Sequence, residues 1–477
     1  MSTTLRIISL VLIVADLAFC VYIGFKKRTA VNSAEEYFID GKKTGAILLF
    51  MTVWASMSGA GNFIGQAGRG AMYGLSAYWQ WMGDGVLGGM VFGLVIAPHL
   101  AKFGYISMPH YISSYLCNGD PTVRRIAGVA NLLPNICWAG SQIMGMSYVI
   151  STLMGVPYTA AVIITGIAFV TYTALGGVGA VIIADALHGT IQLFFSVAVI
   201  VFGLKTFNFD FSVLQAHVVA IDASRWSLDS ITTVQKITAL LTGFVGVMSN
   251  PIVWNRAFCS ASVKGARKSF GWHAVFYMVL IFVMIAIGIS GWTLNPSAGD
   301  QTLVWLIVNK MPPWVSVFLG VGVYAACMSA ADTHLNAAAA NTVCDIIDPR
   351  SKMSTTKVVK YSRIATICAG VFTIICGLFF DSIYALANLG YAVCGGVMIP
   401  IFAIGLLHRD RKSEEFKSTF SISAAKIAMI VGIAACLITE IVPTLSSFFG
   451  GGVIPAIFFT VITYYIAPKK DKLAYAG

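Results

Sequence analysis

Hydrophobic residues gather along the chain into stretches of membrane-spanning length, separated by short polar segments. They lie at 5–25, 45–73, 77–101, 124–152, 158–175, 179–206, 232–253, 270–293, 313–343, 357–380, 385–407, 422–442 and 450–467, and predict 13 transmembrane helices. A helix needs about 20 apolar residues to cross the hydrocarbon core of a bilayer. The first run, Leu5 to Phe25, lacks a basic start and a small-residue cleavage site, so it reads as a retained helix rather than a signal peptide. The segments between runs are short and show no shift toward the composition of a soluble domain.

Charge orients these spans. Lys and Arg concentrate at 26–28 with Lys42 and Lys43, at Lys102, Arg124 and Arg125, and in NRAFCSASVKGARK at 255–268. They recur in DPRSKMSTTKVVK at 348–360, HRDRKSEEFK at 408–417 and PKKDK at 468–472. The alternate loops at 74–76, 153–157, 381–384 and 443–449 carry none, and the longer 207–231 and 294–312 carry only Arg225 and Lys310. Basic loops stay in the cytoplasm. The N-terminus is therefore expected outside and the C-terminus inside, as an odd number of spans requires.

Composition agrees. The chain of 477 residues is 57% hydrophobic and 11% charged, with a mean hydropathy of +0.81; a soluble protein is about 25% charged. The net charge of +11 is spread over many loops and does not point to nucleic acid. The ten cysteines stand mostly singly in apolar runs, without a CxxC pair, and read as buried free thiols rather than disulfides or zinc ligands.

An ionisable group at the bilayer centre costs at least about 2.5–3.5 kcal/mol, so polar residues inside spans mark function. Four places stand out. WASMSGAGNFIGQAGRGAMYG at 54–74 holds six glycines together with Asn62, Gln66 and Arg69. Such a helix unwinds easily, and carbonyls freed inside a membrane are tolerated only where they line a cavity or bind an ion. Close packing through small residues is the plainer reading, but it leaves the three polar side chains unexplained. In CMSAADTHLNAAAAN at 327–341, Ser329, Asp332, Thr333 and Asn336 share one helix face, an oxygen-rich surface suited to a hard cation. In TALGGVGAVIIADALHGTIQ at 173–192, Gly176-Gly177 is expected to make a short cytoplasmic turn, with Asp185 about two turns into the next helix and His188 one turn later. Finally, Asp84 lies inside the third span, and Asn250-Pro251 interrupts the seventh, either as a kink or as part of the site.

Together with EEYFIDGKK before the second span and GYISMPHYISSYL after the third, these stretches resemble the sodium/solute symporter family of sodium-coupled sugar, proline, sialic acid, pantothenate and choline carriers. The spacing GG-x(3)-V-x(3)-D and the block AACMSAADTHLNAAAANTVCDI are specific together, and the likeness runs over nearly the whole chain. The resemblance implies an all-α membrane protein with an inverted five-helix-repeat (LeuT-like) core whose first helices are broken. In this numbering it implies an extra helix and loop at 1–44, a first repeat at 45–206, a loop at 207–231, a second repeat at 232–407 and two further helices with a tail at 408–477.

The resemblance also implies a main sodium site made by the carbonyls of Ala55, Ser58 and Ala326 and the hydroxyl of Ser329. Many family members add a second hydroxyl where this chain has Ala330, so one side-chain oxygen is missing. A second sodium site would use Asp185, Ser329, Asp332 and Thr333, with one or two sodium ions in all. His188 stands where Gln is common. The solute is expected between the repeats, beside the broken helix. Candidate contacts are Asn62, Gln66, Trp81, Asn250, Trp254, Asn388 and Tyr391. Arg69 would draw a carboxylate, whereas Tyr73, Trp79, Trp81 and Trp254 would cage a quaternary ammonium.

The expected function is sodium-coupled import of a small carboxylate-bearing solute such as an amino acid, by alternating access. A choline-like amine is the alternative, with a proton-coupled carrier, a channel and a membrane sensor behind it. No nucleophile–base pair or metal-ligand cluster suggests an enzyme. The expected setting is a bacterial inner membrane, with the lipid bilayer, sodium and solute as partners and a monomer as the working unit.

Overall fold

Residues 3–27, 38–409 and 418–469 of the chain are described by a computed structural model. Most of the basic loop at 408–417, part of EEYFIDGKK and the tail beyond 469 lie outside the described residues. Within them every regular element is helical; two isolated bridges pair Thr44 with Ser260 and Arg409 with Ser418. α1 spans Thr3–Lys27. α2 (Ala46–Met57) and α3 (Gln66–Tyr73) flank a break, and residues 78–100 cross next as mixed α and π turns. α4 is Pro121–Met154 and α5 Tyr158–Lys205; α6 (Thr233–Ser249) and α7 (Pro251–Cys259) flank Asn250; α8 is Val263–Leu294. α9 (Pro313–Ala340), α10 (Thr355–Phe379), α11 (Ile383–His408), α12 (Ile422–Ile441) and α13 (Val453–Ile466) follow, with shorter helices such as Met108–Tyr111, Phe211–Asp222 and Thr302–Lys310 in the connections.

Each expected span thus finds a helix. Nine stretches among the described residues are long and apolar enough to cross a membrane on those criteria alone. Ala46–Met57 and Tyr158–Ala174 are shorter, and Pro443–Phe449 meets α13 at an 87° bend.

Two details depart from the sequence reading. The seventh span was expected to end near residue 253, with 255–268 as a loop. The helix instead runs on to Cys259, and Arg256 within it is fully buried. The glycine pair at 176–177 was expected to make a loop, yet helical bonding continues through it from Tyr158 to Lys205, a stretch that contains no proline. The path still turns back. Met154 meets Arg6 in the first turns of α1, and His188 meets Asp16 ten residues later. Ten residues of α1 rise about 15 Å, whereas a straight helix from Tyr158 to His188 would rise about 45 Å. The two halves of α5 therefore run back past one another, as two spans would.

The loops sort to two ends. Thr44 pairs with Ser260, Arg124 donates to the Pro349 carbonyl, and Asn255 to the carbonyls of Phe38 and Ile106, all at the Lys/Arg-rich end. At the opposite end Ser76 meets Ser227, Leu228 and Ser230, Arg225 caps the Ala71 carbonyl, and Ser382 meets Asp300. The turn after α3 needs Gly74, whose φ is 57° and whose missing side chain leaves room for the Arg225 carbonyl. Eight of the ten cysteines are buried, and all ten are free thiols.

The basic end is clamped by a buried ion pair, Arg124 Nε to Asp345 Oδ1 at 2.8 Å, with Ser107 Oγ on the other carboxylate oxygen at 2.7 Å. His110, in the short helix beside it, is pushed down to about 3 by burial and then by Arg124. The folded protein keeps this imidazole neutral while the unfolded chain takes up a proton below about 6.5. Its contribution to stability is present above that pH and is lost as pH falls toward 3. Melting scans across this window should show a falling melting temperature, with a shallower slope in His110→Gln.

Backbones approach most closely where α8 crosses the second half of the broken span. A side chain at Gly288 would run into the backbone of Ala67, the way small residues set helix contacts in lipid. Gly288→Val should cost about 1–3 kcal/mol of stability, seen as a lower melting temperature in detergent; an unchanged one would refute the close crossing.

Candidate functional site

The second span is broken, as its glycines imply. α2 stops at Met57, Ser58 takes φ −89° and ψ 55°, and π-helical turns begin at Gly61. Gly59 sits so tightly against Gln142 and Ala330 that a side chain there would clash with both. The break leaves carbonyls without helical partners, and side chains take them up: Gln192 Nε2 donates to the Ala55 carbonyl at 3.2 Å, and Asn62 Nδ2 to that of Met57. Where the helix restarts, the Ala60 N–H donates to Gln142 Oε1 at 2.6 Å. The buried Ser58 hydroxyl has no partner among the described residues. The seventh span is broken at Asn250, whose ψ is 120° and whose Oδ1 caps the Ile252 N–H at 2.9 Å. Pro251 opens α7, where its missing N–H costs nothing; it starts a helix rather than kinking one.

Both breaks face one cavity. Ser56, Gly59, Asn62, Ser141, Gln142 and Asn250 line it, with Trp138, Ala330, His334 and Tyr391. Among the described residues, no Asp, Glu, Lys or Arg lines it. Its free space is only about 30 Å³, far less than an organic solute needs with the side chains as they stand. Three expected contacts, Asn62, Asn250 and Tyr391, meet in it. Ser141, Gln142 and His334 were missed, although the polar pair in WAGSQIMG of α4 and the His within the 327–341 block were visible signals.

Other candidates lie elsewhere. Arg69 and Asn388 line a larger, polar vestibule of about 270 Å³ toward the basic-poor end, with Tyr73, Gln80 and Tyr384. The Arg69 guanidinium lies 4.8 Å from the Tyr384 ring centre, and its buried Nε and Nη1 have no hydrogen-bond partner among the described residues. Gln66 donates to Asp84 at 3.3 Å. Trp81 bonds the Met278 carbonyl and packs on Tyr78 and Phe282, while Trp79 bonds that of Leu228. Trp254 bonds the Met248 carbonyl among Phe92, Tyr111 and Phe402. The four rings considered for an ammonium cage thus do not converge.

Beside the central cavity lies a fully buried polar knot. Asp185 Oδ2 accepts from Thr52, from Ser56 at 3.0 Å and from Arg256 Nη2 at 3.0 Å; its Oδ1 accepts from Ser329. Arg256 Nη2 also reaches Thr333 Oγ1 at 3.0 Å and Ser56 Oγ at 3.3 Å. Ser329 points at Asp185, and Thr333, one turn along the same face of α9, meets Ser56 Oγ at 3.1 Å and Arg256. Asp332 turns to the adjacent side, where it accepts from Tyr172 and Thr333, and Asn336 donates back to the Asp332 carbonyl. Ala326 and Ala330 are buried on the same helix. His188 bonds Asp16 of α1 at 2.8 Å. The sequence reading missed Thr52, Ser56 and Arg256; Arg256 sat among loop-like basic residues.

A sequence profile of the sodium:solute symporter family matches residues 37–414. The sodium/pantothenate symporter of Escherichia coli is 23% identical over 373 residues, covering 74% of this chain and 75% of that one. The sodium/sialic acid symporter of Aliivibrio fischeri is 22% identical over 337 residues, 65% of this chain and 64% of that one. A substrate-bound, outward-open sodium-coupled sialic acid symporter superposes with a TM-score of 0.75 at 18% identity over 98% of both chains. The chain belongs to the sodium:solute symporter family. It is a multi-pass membrane carrier with the LeuT-like fold, and its relatives are sodium-coupled transporters, not enzymes.

Proposed function

We propose that this symporter imports a small carboxylate-bearing solute, such as an amino acid, together with sodium. The observation that carries the reading is the meeting of two broken helices at one polar cavity without a charged wall. The restarting helix turns its positive dipole end toward the Gln142 amide there, with the Ala60 N–H on the amide oxygen. A half-helix N-terminus of this kind favours an anionic group. Arg69, with unpartnered nitrogens in the vestibule, would draw the same group inward. Pantothenate and sialic acid, the solutes of two relatives, both carry a carboxylate. Asn62, Asn250, Gln142 and Tyr391 would hold the solute in the cavity, and Asn388 and Gln80 would meet it on the way.

Sodium would sit at the first break, on the carbonyls of Ala55, Ser58 and Ala326 and the Ser329 hydroxyl, next to the unpartnered Ser58 hydroxyl. Ala330 brings no side-chain oxygen. Sodium there ties α2 to α9 and closes the solute site toward one face. The basic end would face the cytoplasm of an inner membrane, with the N-terminus outside and one chain as the working unit. Each positive charge moved inward then gains about 2.3 kcal/mol per 100 mV.

The purified protein should melt at a higher temperature with a neutral amino acid or small carboxylate in sodium than in potassium, because a ligand of the folded state stabilises it by mass action. Choline-like amines and sugars should give no shift. A shift with choline and none with carboxylates would overturn the substrate class, and equal shifts in potassium would overturn the coupling. Ser329→Ala should raise the sodium concentration for half-maximal stabilisation about tenfold, the equivalent of about 1.4 kcal/mol.

A further inference from the structure

Arg256 occupies a place where the family resemblance would put a second sodium ion. Its Nη2 lies 3.0 Å from Asp185 Oδ2, 3.0 Å from Thr333 Oγ1 and 3.3 Å from Ser56 Oγ. These are hard oxygen donors of the kind an alkali cation prefers, and they converge on one positively charged nitrogen. Both members of the ion pair are fully buried, with no exposed side-chain area. Asn255 Oδ1 accepts from Nη1 at 3.2 Å and fixes the fork from its own helix.

We propose that the Arg256 guanidinium is the resident cation of the Asp185 pocket, a tethered substitute for a second sodium, so that this carrier binds one sodium ion per chain. The inference rests on the main-site sodium reading above. Local charge supports it. The guanidinium already meets the Asp185 carboxylate. A sodium ion added beside it would set two positive charges against that one carboxylate in a low-dielectric interior, where uncompensated charge is costly. The missing hydroxyl at Ala330 leaves Ser329 as the side-chain oxygen that the main site and this pocket share, and its hydroxyl already donates to Asp185.

The test is equilibrium binding of radioactive sodium to the purified full-length chain, with no solute added. Wild type should bind one ion per chain. Arg256→Gln, which keeps hydrogen bonding but removes the charge, should bind two, and Arg256→Lys should return to one. Two ions on wild type overturn the proposal. So does a single ion on Arg256→Gln that persists when Asp185→Asn is added in that background, because the variant then holds only its main-site ion and has gained nothing. Should Arg256→Gln fail to fold, the wild-type count decides by itself. No ion on wild type would sink the main-site reading; a single ion gained by Arg256→Gln in that case, lost again in Arg256→Gln with Asp185→Asn, would still support the tethered cation.

Discussion

A carboxylate buried at mid-membrane has to be met by positive charge and hydrogen-bond donors, or it is not kept ionised there. Asp185 is met by both. Its donors come from α2 (Thr52 and Ser56), α7 (Arg256) and α9 (Ser329), while the acid itself stands on α5. The requirement to compensate one charge therefore fixes four helices against one another at the depth where two of the bundle's spans are interrupted. Losing one partner of such a pair costs about 3–5 kcal/mol because the other charge is left buried alone. The knot is consequently a strong positional constraint even where the net contribution of the pair to stability is small.

The breaks obey the same rule applied to the backbone. Unwinding a helix in lipid strands carbonyl and N–H groups that water cannot reach. Here the stranded groups are taken up by amide side chains from other positions: Gln192 for Ala55, Asn62 for Met57 and Gln142 for Ala60. An amide is a neutral stand-in that gives up its bond to an ion or an anionic group at modest cost. A narrow cavity lined by Asn and Gln side chains is thus suited to exchanging internal partners for transported ones.

The sequence made the interruptions legible because the signals are local. Six glycines in 54–74 and Asn-Pro at 250–251 state where a helix cannot continue or must begin, and the α9 face follows from helical spacing alone. Loop charge foretold which ends lie together. What escaped reading was tertiary. Arg256 lies in NRAFCSASVKGARK, whose composition is that of a basic loop, and only the packing of α7 against α2 and α9 reveals that its guanidinium points inward. Trp81 and Trp254 look like ligand-cage residues in sequence, but their indole N–H groups are spent on the carbonyls of Met278 and Met248. Asp332 shares a face with Ser329 by spacing, yet the hydroxyl of Tyr172 from another helix draws it aside.

Ser329 ties the two cation environments together. Its hydroxyl carries one proton and two lone pairs. The proton is committed to Asp185, which turns the lone pairs away from that carboxylate. On the reading that sodium sits at the first break, those lone pairs are what the ion would use, and donation to Asp185 makes the oxygen a better ligand by polarising it. The fixed charge of Arg256 acts on the same carboxylate from the opposite oxygen. Sodium and guanidinium would then be sensed by one group through its two oxygens. Any rearrangement that withdrew α7 from Asp185 would alter the hold of Ser329 on the ion, a direct route by which movement of one broken helix reaches the cation beside the other.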